Sequence, residues 1–326
     1  MTVGLIAAMH LCSAGTAAAG PPLILERTIP LENVRGRIDH MAIDRVGGRL
    51  FVAELGNDSV DVVDLQTGKV LHRVNGLKEP QGVAYLADRD VIVVADGGDG
   101  SVRFLHAGDL SSLGTAALGN DADNVRTDPY SGQVFVGYGD GGLAILDPAT
   151  QTKLEDIRLA GHPESFQIDA KTDRVFANVP DAGQIAVIDL KSRRQAAALK
   201  TPGLAANFPM ALDSAGGRLA VVFRSPAKLA LLDAATGTVT ASLATCGDAD
   251  DVFFDGKRDR IYVSCGDGAI DVVQRRPDGL GLVGRVPTSN GARTSLFVPE
   301  LDRLFVAVRA GWFASKAAIL VFRPSP

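Results

Sequence analysis

From Arg37 onward, short apolar runs alternate with polar clusters, and the runs have the length of strands rather than helices. The stretch 37–70, RIDHMAIDRVGGRLFVAELGNDSVDVVDLQTGKV, sets the plan. Asp39 and His40 lead into a short apolar strand ending at Asp44, and Gly47-Gly48 turns the chain back. Leu50-Phe51-Val52 follows, then a polar loop through Gly56-Asn57-Asp58, an alternating run Val60-Asp61-Val62-Val63-Asp64, and a Thr67-Gly68 turn into a fourth strand. Tight turns between runs of this kind predict antiparallel hairpins. A four-stranded sheet so built cannot bury both faces by itself, so it must stack against copies of itself.

Those copies follow along the chain. The last residues of the expected inner strands are Asp44, Leu86, Asp128, Asp169, Asp213, Asp255 and Pro299, a period of about 42 residues. Second strands align as RLFVAEL, DVIVVAD, QVFVGYG, RVFANVP, RLAVVFR, RIYVSCG and RLFVAVR. The seventh unit stops after its third strand at Val321-Phe322-Arg323, while Leu23 to Ile29 forms an apolar strand with no unit of its own. The expected fold is therefore all-β, a seven-bladed β-propeller of four-stranded antiparallel blades. The N-terminal strand supplies the missing outer strand and leaves no open edge. No domain boundary is expected between residues 20 and 326.

The unit LFVAELGNDSVDVVDLQTGKV and its six looser copies resemble the YncE-like proteins of the YVTN type, exported bacterial seven-bladed propellers. The resemblance covers essentially all of the chain after its leader. It implies fold and export, and it specifies the blade rather than a chemistry. The Gly-His and Trp-Asp signatures of WD40 repeats do not recur along the units: Gly-His occurs once, at Gly161-His162, and the one Trp is Trp312.

Composition agrees with many short strands: 36 glycines stand against 6% aromatic residues. A formal net charge of −5 argues against a nucleic-acid surface. Residues 1–19, MTVGLIAAMHLCSAGTAAA, carry no charged side chain and end in Ala17-Ala18-Ala19, which reads as a secretory signal cleaved before Gly20, although it lacks the usual basic start. Its apolar part is too short and interrupted for a membrane span, so none is expected in the mature chain. A periplasmic or secreted location follows. There the two remaining cysteines, Cys246 before the first strand of blade six and Cys265 at the end of its second, are candidates for a disulfide. Short blade edges give no dimer signal, and a monomer is expected.

Segments just before each inner strand converge on one mouth of the channel. They contain Arg37, Asp39 and His40; Glu79; Asp121, Asp123 and Asn124; His162 and Glu164; Asn207; Asp250 and Asp251; and Arg293. Asp and Asn also cap turns by accepting backbone N–H bonds, which accounts for some of these acids without a function. It accounts less well for the two histidines and the arginines. Two functional readings follow. In the leading one the mouth binds a small polar molecule or an envelope protein, with Arg37, Arg224, Arg293 and Arg309 balancing the acids and Trp312 and Phe313 offering an aromatic contact beside the opening. In the alternative, His40, Asn124, Glu164 and Asp251 hold a divalent metal (Ca²⁺, Mg²⁺ or Zn²⁺), and the mouth is a metal-dependent hydrolase or lyase site with His40 or His162 as general base. That alternative resembles the exported propeller lactonases and the streptogramin lyase by fold alone, since no motif of either is found here.

Gly137 to Gly142 is not a dinucleotide loop, because no helix follows it. His72 and His106 fall on outer and third strands, away from the mouth.

Overall fold

In the computed structural model, which describes residues 20–311 and 316–326, the strands form seven four-stranded antiparallel sheets. The first blade shows the plan. Its inner strand Met41–Asp44 pairs with Arg49–Glu54, which pairs with Ser59–Asp64, which pairs with the outer strand Lys69–Asn75. Among the described residues the helical elements are two 3-10 turns, Leu55–Asn57 and Pro180–Ala182, at equivalent loops of blades one and four. Residues 1–19, expected to be a leader, and Trp312 and Phe313, expected beside the mouth, lie outside the described residues.

Strand alternation explains why the blades stack. On Arg49–Glu54, Leu50 and Val52 face the seventh blade, where they meet Phe305 and Ile319, while Phe51 and Ala53 face the second and meet Ile92 and Val94. The two central strands of a blade are thus apolar on both sides, and Val91–Asp96 is buried throughout. Each such interface contains at least one fully buried large side chain, among them Phe51, Phe104, Phe135, Phe176 and Tyr262. Burying an aromatic of this size contributes roughly 1.5–3 kcal/mol. Outer strands face solvent and are mostly exposed, as along Thr152–Arg158.

The ring closes as the strand pattern requires. The seventh blade takes Ser295–Val298, Arg303–Val308 and Ala318–Pro324 from the end of the chain and Leu23–Pro30 from its start, with Thr28 opposite Leu320 and Ile29 opposite Ile319. Cys246 and Cys265 are joined as a disulfide, with Cα atoms 5.9 Å apart, buried at the mouth end of blade six. Among the described residues no helix is long and apolar enough to cross a membrane.

At the far ends of blades one, four and five, away from the mouth, aspartates are turn acceptors. Asp44 takes N–H bonds from Val46 and Gly47 (3.1 and 2.8 Å) and the Arg49 guanidinium (2.9 Å). Asp64, Asp189 and Asp233 each accept a backbone N–H and a hydroxyl from Thr67, Ser192 and Thr236. Such bonds to a carboxylate favour its charged form, and Asp64, Asp189 and Asp233 are all held below the ordinary carboxylate value.

Candidate functional site

At the mouth, inner strands begin with irregular backbone. Glu79, Asp121, Ala206 and Asp248 have left-handed φ (45 to 56°), each just before or at the start of an inner strand. In the same four blades the pairing of inner and second strands shifts register at the mouth: between Pro80 and Gly82, Ala122 and Val125, Asn207 and Met210, and Ala249 and Asp251. These are β-bulges, which re-aim side chains. Gly82 is required by the resulting approach of two blades, since a Cβ there would stand 2.1 Å from the Asp123 carbonyl oxygen.

In blades one and four the backbone is fixed by paired bonds. Asp39 N–H donates to Ala53 O (2.7 Å) and Ala53 N–H returns to His40 O (3.0 Å); Glu164 N–H donates to Asn178 O (3.0 Å) and Asn178 N–H returns to Ser165 O (2.9 Å). Asp39, His40, Glu164 and Ser165 are thereby set around a constriction that also receives Asp123, Asn124, Asp250 and Asp251. Its cavity of about 30 Å³ has the size of one water. Beyond it the channel widens to about 400 Å³, past Arg126, Gln167 and Phe254.

Asp123 is the centre of the ring. It lies 3.7 Å from His40 Nε2 and 3.8 Å from His162 Nε2. His162 Nδ1 is 2.7 Å from the Gly139 carbonyl oxygen, which can only accept, so that nitrogen carries a proton. Burial disfavours charge on His162, but Asp123, Gly139 O and Asp121 outweigh it and raise the imidazole to about 9. Burial likewise opposes charge on Asp123, and the two histidines outweigh it, holding that carboxylate below its usual value. His40 goes the other way: burial lowers it in spite of Asp123, and it is the neutral partner. Glu164 is raised to about 7 by burial and then by Asp123.

The other side of the ring is balanced by arginine. Asp250 is held by Arg224 Nη2 (2.5 Å) and Arg293 Nε (3.0 Å), and the Arg224 guanidinium stacks 3.7 Å from the Phe208 ring centroid. Arg37 pairs with Asp39 at 2.7 Å, yet burial still raises that carboxyl well above its ordinary value. Asp251 is raised too, by burial foremost, although its Oδ2 accepts the Ser295 N–H at 2.6 Å. Asn124 is 4% exposed, and its Oδ1 has no hydrogen-bond partner among the described residues. Here burial raises three carboxyls, Asp39, Glu164 and Asp251, within one small space, chemistry suited to donating and accepting hydrogen bonds to a polar guest.

Of the residues expected at the mouth, the structure brings Arg37, Asp39, His40, Asp123, Asn124, His162, Glu164, Asp250, Asp251 and Arg293 together. Two expected residues are elsewhere. Glu79 is exposed, its N–H bound to Asp58 Oδ1 at 2.9 Å, and does not line the constriction. Asn207 is a buried brace between blades, donating to Asn178 Oδ1 (2.9 Å) and Gln184 O (3.0 Å). Arg126 was not expected: it lies two residues beyond Asn124 along the same strand, and its half-buried guanidinium is attracted by Asp251 and Asp123 while desolvation lowers its pKa. The alternation of side chains along a strand was the available signal. Among the described residues, no three His, Cys, Asp or Glu side chains are grouped so as to hold a metal ion.

A closed ring of seven four-stranded blades with an inner channel defines a β-propeller. The chain is similar to a chain of hydrazine synthase from Kuenenia stuttgartiensis, with 18% identity over 90% of this chain and 98% of that one and a TM-score of 0.78. It is also similar to a chain in the crystal structure of a mitotic checkpoint complex, with 15% identity over 100% of this chain and 99% of that one and a TM-score of 0.79. At such identities the likeness concerns the fold alone. No protein-family model and no curated protein matches the chain.

Proposed function

We propose that this protein is an exported binding propeller of the YncE-like kind that recognises a small polar molecule at the mouth of its channel. The observation that carries the reading is the convergence of His40, Asp123, His162 and Glu164 from three blades on one point, with Glu164 poised near pH 7 and His162 held protonated. Perturbed groups of opposite protonation, aimed into a cleft, form a recognition surface. Export is supported by the Cys246–Cys265 bridge, a feature of oxidising compartments, and by the leader-like composition of residues 1–19. Binding is preferred to metal-assisted hydrolysis because both histidines are engaged with the same carboxylate, leaving no grouped set of ligands for an ion.

A thermal-shift screen of polar metabolites against the mature chain tests the reading, with a His162→Gln/Glu164→Gln variant beside it. A ligand at 100 times its Kd stabilises the wild type by about 2.7 kcal/mol. The variant should lose that response. Equal stabilisation of both proteins by every active compound would sink the proposal.

A further inference from the structure

Beside the constriction lies a groove of about 750 Å³ lined by Arg35, Arg37 and Arg309 together with Ser289 and Asn290. Three mouth loops build it: the segment entering blade one, the connection entering blade seven, and the end of the second strand of blade seven. None of the residues lining it is acidic. Arg37 gives one nitrogen to Asp39, while its Nε has no partner among the described residues. No ion pair to Arg35 or Arg309 is found among the described residues, in a molecule whose other mouth arginines, Arg224 and Arg293, are each held by two aspartates. Arg309 is seated by its surroundings, because its Nε would stand 2.3 Å from a Cβ at Gly291, a residue with φ of 78°. Only glycine allows the guanidinium to lie over that turn.

We propose that this groove is an oxyanion site, taking the carboxylate or phosphate group of a small molecule. The inference rests on the mouth being the ligand-facing end of the propeller, and it names the ligand's chemical class. Three guanidiniums in one concave space, joined by a hydroxyl and an amide, match the paired oxygens of a carboxylate or phosphate through parallel N–H bonds. Net negative charge on the whole chain does not oppose this, since local field in a cleft is set by the nearest groups. A long polyanion is disfavoured, because Asp248 and Asp267 line the adjoining cavity that shares Arg37 and Arg309. The guest is therefore a compact anion.

Isothermal titration of the mature chain with inorganic phosphate and, separately, with citrate tests the site, with sodium chloride at matched ionic strength as the reference. Saturable binding of either anion above the chloride background is expected, and which of the two binds tells phosphate from carboxylate recognition. Arg35→Ala/Arg309→Ala, two exposed positions, should weaken it by about tenfold or more, and Arg309→Lys by several-fold, since charge without the planar fork is insufficient. The His162→Gln/Glu164→Gln variant should keep anion affinity. If it does while the metabolite screen fails, the ring reading falls and the groove stands. Neither anion binding above chloride, or full affinity in the Arg35→Ala/Arg309→Ala variant, overturns the oxyanion site.

Discussion

Two groups of acidic side chains, one at each end of the ring, are used in opposite ways. At the far end Asp44, Asp64, Asp189 and Asp233 sit in turns, collect backbone and hydroxyl donors, and are held below the ordinary carboxylate value. At the mouth Asp39, Asp251 and Glu164 receive fewer donors, and desolvation raises them. The first arrangement stabilises the fold with each bond. The second keeps carboxyls close together at a cost in stability, which is the pattern of a surface shaped for another molecule.

The largest effect should come from a far-end carboxylate that is also buried. Asp255 is 2% exposed and accepts from the Tyr262 hydroxyl (2.5 Å), Arg258 Nη1 (3.0 Å) and Lys257 N (3.0 Å). Asp255→Ala should destabilise by about 2–4 kcal/mol, because a fully buried phenol loses its acceptor; urea unfolding midpoints measure this. At the mouth, Glu164→Gln should change stability by less than about 1 kcal/mol at pH 8, or raise it, since it removes a charge from among like charges. A loss as large as that at Asp255 would erase the contrast between the two ends.

Titration sharpens it further. Glu164 rises from 4.5 to about 7 and His162 from 6.5 to about 9 on folding, so the folded state holds the extra proton in both cases. Stability should therefore fall as pH rises, through 4.5 to 7 for Glu164 and through 6.5 to 9 for His162. Glu54, raised to about 8 by burial and by Asp61, adds in the same direction. In melting curves taken from pH 5 to pH 9.5, Glu164→Gln should flatten the lower part of the decline and His162→Gln the upper part. The smallest and most local signal is spectroscopic: imidazole NMR should place the His162 midpoint near 9 and that of His40 below 6.5.

Blade number, strand order and the closing strand were all legible in the chain, because period-two alternation and Gly-rich turns are local signals that repeat. The ring at the mouth was legible only in part. His40, Asp123, His162 and Glu164 meet as their positions before the inner strands suggest, but the bulges in blades two, three, five and six rotate side chains there. Glu79 is turned outward by its left-handed backbone, and Asn207 inward to a neighbouring blade. One-residue slips of this kind exchange the two faces of a strand, and no hydrophobic pattern marks them. Arg126 was hidden by its place inside a strand, where a charge reads as an exception rather than as part of the ring.

Pairing Leu23–Pro30 with Ala318–Pro324 also makes this molecule's folding a matter of timing. Leu23–Pro30 is made long before Ala318–Pro324 and cannot find its neighbour until that later strand is free. Until then Ile24 to Ile29 and the edge of the seventh blade are both open templates for other chains. Contacts so distant along the chain form slowly. Completion of the circle is thus the step at which a holding chaperone has most to protect, and the point at which the chain is committed to its final shape.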